Sequence, residues 1–244
     1  MREKENMFRP HPFHGGKLMS IERSIPIDGP AGSGKSTIAK RLSVLLGMRY
    51  VSTGEMYRAL ALHTVRSKVD PSDAVEVSKL ACSSDIELIP TVDGGQSVFL
   101  NGEDVTSYLR TPEVDNIVSL VSLPEKVREV MARNQRKVAT KFDVVMDGRD
   151  IGSVVLKEAS CKFFLTADVE ERARRRQKDY IAAGRDIALD TIIEDLKRRD
   201  YIDSNREIAP LIQAEGAHFV DSTALNIDEV TSLMYNLVKE SLSI

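Results

Sequence analysis

Gly29-Pro30-Ala31-Gly32-Ser33-Gly34-Lys35-Ser36-Thr37 decides how this 244-residue chain folds. The stretch fits G-x-x-x-x-G-K-[ST], a phosphate-binding loop. Its glycines let the backbone curl until successive N–H groups aim at one centre. Lys35 adds a positive charge able to reach terminal phosphates, and the Ser36 hydroxyl suits Mg²⁺. The flanks agree with the motif. Ser24 to Asp28 reads as a short strand, and Thr37 to Leu46 reads as a helix ended by Gly47. Pro26 is the irregularity, because proline cannot donate to a strand ladder.

Outward from the loop, strand and helix patterns alternate, which predicts an α/β fold with a parallel sheet covered by helices. Arg49 to Ser52 reads as a strand. Glu55 to Arg66 reads as a helix with Met56, Leu60 and His63 along one face. The middle changes period. Asp85 to Ile89 alternates polar and apolar, Asp93-Gly94-Gly95 signals a turn, and Ser97 to Leu100 is the partner run before Asn101-Gly102. That predicts an antiparallel hairpin inserted into the alternating core, placed to cap a pocket. Helices are expected over Pro112 to Ser119 and Pro124 to Lys141, and strands over Val144 to Asp147 and Cys161 to Leu165. A charged helical pair follows over Val169 to Ala183 and Leu189 to Ser204. Ala217 to Val220 is the last strand. Ile227 to Leu242 is a closing helix with Val230, Leu233, Met234, Leu237 and Val238 on one face.

Composition narrows the function. Hydrophobic residues make up 42% and charged residues 29%, as in an ordinary globular protein. A net charge of −3 argues against bulk nucleic-acid binding, and 5% aromatics without Trp argue against a stacking platform. No N-K-x-D occurs, against a guanine-reading switch. No apolar run is long enough for a membrane span. Two cysteines without C-x-x-C spacing, Cys82 and Cys161, are expected to be buried reduced thiols, consistent with a cytoplasmic protein. Residues 1–22 read as a disordered extension containing His11 and His14, with Met19 a plausible initiator.

Two further features point to phosphoryl transfer onto a small phosphorylated acceptor. Asp147-Gly148-Arg149-Asp150 follows an apolar strand, at the carboxyl end where open α/β sheets bind ligands. Asp147 lies where a carboxylate would hold Mg²⁺, and Arg149 offers a planar fork matched to phosphate oxygens. The basic run Arg172-Ala173-Arg174-Arg175-Arg176 and the stretch Arg198 to Arg206 put surplus positive charge on adjacent helices of a net-negative chain. On helical spacing Arg172 and Arg176 share a face, as do Arg199, Asp203 and Arg206. That suits a lid closing over polyphosphate.

The ordered segments IDGPAGSGKST, STGEMYRALAL, LNGEDVT with LRTPEV, MDGRDIGSVV, ERARRRQ and KRRDYIDSNREIAPL resemble the bacterial cytidylate kinase family, a branch of the nucleoside monophosphate kinases. The resemblance runs from about Ile25 to the C-terminus. It implies a P-loop NTPase-type three-layer core with a five-stranded parallel sheet, an inserted monophosphate-binding subdomain and a helical lid. The implied division is a core with the loop over 23–66, the insert over 67–112, core over 113–168, lid over 169–206, and a closing strand and helix over 207–244. It further implies a monomeric enzyme that uses ATP and Mg²⁺ to phosphorylate CMP or dCMP.

Residue by residue, the resemblance assigns ATP to Gly29, Pro30, Ala31, Gly32, Ser33, Gly34, Lys35, Ser36 and Thr37, with Arg174 from the lid. Ser36 and Asp147 would hold the metal. Lys35, Arg149, Arg175 and Arg206 would carry catalysis. On the acceptor side, Arg58, Arg149 and Arg206 would grip the phosphate, with Thr53 near it, and Arg110 would also bind the substrate. Arg199 and Asp203 would approach the ribose, and Ser119, Arg128 and Asp150 would surround the cytosine. The chemistry of cytosine agrees: a carboxylate at Asp150 accepts from N4, where uracil presents a repelling oxygen. Ser52 stands where the family commonly has Asp, and Glu55 replaces a small residue, putting negative charge near an anionic substrate.

Overall fold

The computed structural model describes residues 20–90 and 95–244. The expected turn at Asp93-Gly94, the extension with His11 and His14, and Met19 lie outside the described residues. A short helix α1 (Ser20–Arg23) leads into β1 (Ile25–Asp28), and the phosphate loop connects it to α2 (Lys35–Leu46). Then come β2 (Arg49–Ser52), α3 (Thr53–Arg66) and α4 (Ala74–Ser83). The strands β3 (Ile86–Pro90), β4 (Gln96–Leu100) and β5 (Glu103–Asp104) form an antiparallel sheet in that order. The helices α5 (Pro112–Val121) and α6 (Glu125–Lys141) return the chain to β6 (Val144–Gly148). A single π-helical turn (Ile151–Val155) precedes β7 (Phe163–Thr166). The helices α7 (Val169–Ala182) and α8 (Leu189–Asn205), the strand β8 (His218–Asp221) and the helix α9 (Ile227–Leu242) complete the chain.

The five parallel strands run in the order β2-β6-β1-β7-β8. Alternation along each strand feeds two layers. Ile25, Ile27 and Val145 face α2 and α9, packing with Ile38, Leu42, Met234 and Val238. Val144 and Met146 face the other way, packing with Ala132 and Ala139 of α6 and with Leu156. β1 and β6 are buried along their whole length, as central strands must be. Pro26 is accommodated near the start of β1: pairing with β7 begins only at Ile27, opposite Phe163.

The insert does not fold apart from the core. Met56 and Leu60 of α3, Val77 and Ala81 of α4, Val98 and Leu100 of β4, and Val114 of α5 join one apolar cluster with Val127 and Met131 of α6. The Gln96 side chain binds β4 to the end of β2. Its Oε1 accepts from the Ser52 N–H at 2.9 Å and its Nε2 donates to the Ser52 carbonyl at 3.3 Å. α7 and α8 share a smaller cluster of Ala173, Ile192 and Leu196 that reaches the phosphate loop only through Ala31.

Several sequence readings change. α4 was missed, although Asp73 caps it by accepting from the Val75 and Glu76 N–H groups, and Val77 and Ala81 sit one turn apart. The hairpin gains a third strand beyond Asn101-Gly102, whose positive φ values of 51° and 85° suit the tight turn. β7 starts at Phe163, two residues later than read. Cys82 is exposed rather than buried, and Leu233 departs from the buried face of α9. His63 bonds the Ser84 hydroxyl, and His218 packs on Phe163, so neither lies among catalytic groups.

Candidate functional site

The loop after β1 holds Gly29, Gly32 and Gly34 at positive φ. At Gly29 a Cβ would lie 2.0 Å from the Leu165 carbonyl oxygen, so only glycine lets the loop pass β7. Lys35, the first residue of α2, is 5% exposed and curls back over the loop. Its Nζ donates to the Pro30 carbonyl at 2.6 Å and the Ser33 hydroxyl at 3.3 Å. Burial, and after it the Arg149 charge, hold this ammonium well below its usual pKa. Thr37 sits exposed one residue beyond Ser36.

Ser36 and Asp147 meet across the loop. The Ser36 hydroxyl donates to Asp147 Oδ2 at 2.8 Å, and the Tyr50 hydroxyl donates to Asp147 Oδ1 at 3.0 Å. Among the described residues there is no cluster of three or more His, Cys, Asp or Glu side chains suited to a metal. Two hard oxygen donors beside a phosphate cradle fit Mg²⁺, which takes few protein ligands and completes its shell with phosphate and water.

Thr53, Arg58, Ser119, Arg128, Arg149, Asp150, Arg199, Asp203 and Arg206 all line one cleft beside this loop. They come from α3, α5, α6, the end of β6 and α8. The charges are interlocked. Arg128 Nη2 donates to Asp150 Oδ2 at 2.6 Å, and Arg149 Nε donates to Asp203 Oδ2 at 2.8 Å. Arg206 lies 3.7 Å from Asp150 and 3.6 Å from Asp203, while Arg58 pairs with Asp115 at 2.7 Å. Burial opposes ionisation of Asp203, but Arg149 and then Arg206 and Arg199 hold its carboxyl below the usual range. Arg199 makes no ion pair with a described residue. Burial lowers its guanidinium to about 10, and Arg149, Arg176 and Arg58 push the same way. Two buried donors, Arg128 Nε and Arg206 Nη2, lack hydrogen-bond partners among the described residues.

The turn that presents Arg149 and Asp150 needs Gly148, where a Cβ would lie 2.5 Å from Ile151 and 2.7 Å from the Thr53 hydroxyl. That hydroxyl instead donates to the Asp147 carbonyl at 2.8 Å.

Three sequence-predicted arginines lie elsewhere. Arg110 is exposed and bonds Glu55, which resolves the unfavourable charge read at Glu55: the carboxylate is already neutralised. Arg174 is exposed beside Glu171. Arg175 touches the phosphate loop at the Ser33 carbonyl, 3.4 Å away, but its guanidinium is held by Ser222, at 2.7 and 3.0 Å, and by an ion pair with Glu171 at 3.0 Å. Arg172 is a structural tie: it donates to the Ala31 and Ala167 carbonyls and pairs with Asp200 at 2.7 Å, fastening α7 to the loop and α8.

Two residues in the site escaped the sequence reading. Tyr57 lines the cleft one helical turn from Thr53, with the Arg128 guanidinium 5.5 Å from its ring; burial raises its hydroxyl to about 12. The (i, i+4) spacing from Thr53 was the available signal. Asp28 carried none. Its buried carboxylate accepts from the Ile151 and Gly152 N–H groups at 2.8 and 2.7 Å.

Burial pushes the Asp28 carboxyl from the ordinary 3.8 up to about 7, against the pull of those two donors. The folded protein therefore keeps a proton that the unfolded chain has released, and stability falls as pH rises from about 4 to 7. Asp28→Asn removes this titration. Its Tm is expected to decline less steeply than that of the wild type between pH 5 and 7; parallel curves would contradict the assignment.

Comparison with known proteins agrees with this architecture. The cytidylate kinase family model matches residues 25–240. A cytidylate kinase of Desulforamulus reducens is 46% identical over 222 residues, covering 91% of this chain and 99% of the relative. One from Caldanaerobacter subterraneus subsp. tengcongensis is 44% identical, covering 92% and 98%. One from Bacillus subtilis is 45% identical, covering 91% and 99%. The matched span includes every element that frames the loop and the cleft, and the chain belongs to the cytidylate kinase family.

Proposed function

We propose that this protein transfers the γ-phosphoryl group of ATP directly to CMP, and to dCMP, giving the diphosphate. One observation carries this assignment: arginines from α3, α6, α8 and the end of β6 converge on one cleft that shares Asp147 with the phosphate loop, and part of their charge is unmatched. Like charges repel in such a site, and an anionic ligand relieves that repulsion. The orphaned donors on Arg128 and Arg206 supply hydrogen bonds for the same ligand.

In this function the loop N–H groups and Lys35 hold the ATP phosphates. Ser36 and Asp147 would hold Mg²⁺, which would supply positive charge to offset that of the phosphates. Arg58, Arg149 and Arg206 bind the acceptor phosphate, Arg199 and Asp203 the ribose, and Arg128, Asp150 and Ser119 the cytosine. The attacking group is a phosphate oxygen, already anionic, so no side chain is required as a base. These residues instead position the two phosphates in line and offset the charge on the migrating group. Arg175, which reaches the Ser33 carbonyl of the loop from α7, would add charge on the ATP side.

An assay offering CMP, dCMP, UMP, AMP and dTMP with ATP and Mg²⁺ tests this function. CMP and dCMP are expected to be the preferred acceptors, with turnover lost on chelation of Mg²⁺. Turnover of none, with hydrolysis stimulated by DNA or RNA, would overturn it. A second expectation concerns Arg110. If it acts by neutralising Glu55, Arg110→Ala raises the KM for CMP by about threefold, within the range of a partly exposed ion pair. Adding Glu55→Ala then restores the KM. A direct phosphate ligand would show no such rescue.

A further inference from the structure

Asp28 ends β1, one residue before the phosphate loop, and is 2% exposed. Its two oxygens take the Ile151 and Gly152 N–H groups separately. These donors open the π-helical turn that follows directly on Arg149 and Asp150. Arg149 is bonded to Asp203, and Asp150 is paired with Arg128 and Arg206. One side chain thus links the strand leading into the loop to the segment that anchors the charged cleft. A buried carboxylate is a costly way to satisfy two N–H groups, since a neutral acceptor carries a smaller desolvation penalty. What a carboxyl group adds is geometry: its two oxygens hold both donors at once, at 2.8 and 2.7 Å.

We propose that Asp28 is a positioning residue. It sets Arg149 and Asp150 relative to the phosphate loop, and so governs affinity and pyrimidine selectivity for the monophosphate. This role rests on the cleft being the acceptor site.

Asp28→Asn keeps the size of the side chain but sets an amide N–H₂ against one backbone N–H. The KM for CMP is expected to rise by up to about tenfold, the loss of roughly one buried hydrogen bond. The ratio of kcat/KM for CMP over UMP should fall, while the KM for ATP changes little. Gly152→Ala perturbs the same pair from the other side, because its Cβ would press on Asp28 Oδ2 at 3.3 Å. It is expected to shift the KM for CMP and the selectivity in the same direction by less, and it carries the test if Asp28→Asn fails to fold. A fall in kcat common to all acceptors, with KM for CMP and selectivity unchanged in the folded variants, would overturn the role of Asp28. The wild type is assayed alongside: failure to phosphorylate CMP at all would instead overturn the acceptor assignment.

Discussion

Lys35→Ala is expected to lower kcat by about a thousandfold or more while the fold survives. The magnitude follows from removing one well-placed charge from a phosphoryl-transfer site. The survival of the fold follows from the burial of Lys35. An ammonium whose pKa is held well below the ordinary value by desolvation is costly to keep charged, so its removal sacrifices little stability. Nζ donates to the Pro30 carbonyl and the Ser33 hydroxyl, both within the phosphate loop. On the proposed function, phosphate oxygens would replace these neutral acceptors and favour the charged form. Melting temperature and single-turnover kinetics on the same preparation check both halves. A variant with near-normal kcat would remove Lys35 from the reaction; a collapsed Tm would make it a structural residue.

Asp150→Asn is expected to cost both specificity and stability. Asp150 and Arg128 are each nearly inaccessible and joined at 2.6 Å, with Arg206 close to the second carboxylate oxygen. Neutralising the carboxylate leaves two guanidinium groups facing one another with less compensation. Breaking a buried pair costs about 3–5 kcal/mol, and an amide oxygen recovers part of that, so a Tm decrease of roughly 5–10 °C is expected. For activity, cytosine N4 loses a charged acceptor, whereas the new amide can donate to uracil O4. The kcat/KM for CMP should therefore fall about a hundredfold, with that for UMP falling far less. Equal losses on the two acceptors would mean that Asp150 only organises the arginines and does not read the base.

Legibility in the sequence followed the range of the interactions. The phosphate loop is contiguous, and its conformation is set by its own glycines, so nine consecutive letters suffice to read it. α9 matches its reading over Ile227–Leu242 because its apolar residues recur at helical spacing, and the structure adds a reciprocal cap between Asn226 and Glu229. α4 was not read, since its short apolar face is covered by α3 and α6 rather than by a sheet whose alternation announces itself. Arg110 and Arg175 show the limit more sharply. The resemblance assigns Arg110 to the substrate site and Arg175 to catalysis, yet Glu55 pairs with the first, and Ser222 and Glu171 hold the second.

The local chemistry of this protein was decided by its sequence alone: a triphosphate cradle, an alternating α/β core and a supply of arginines on helices. The tertiary structure decided which of those arginines face one cavity, and which carboxylate each one meets. It also brought Asp28 against the turn carrying Arg149 and Asp150, more than a hundred positions away. The reason is physical. Backbone periodicity and glycine freedom act over a few residues and leave a local signature, whereas the pairing of buried charges depends on distances that exist only once the sheet has assembled.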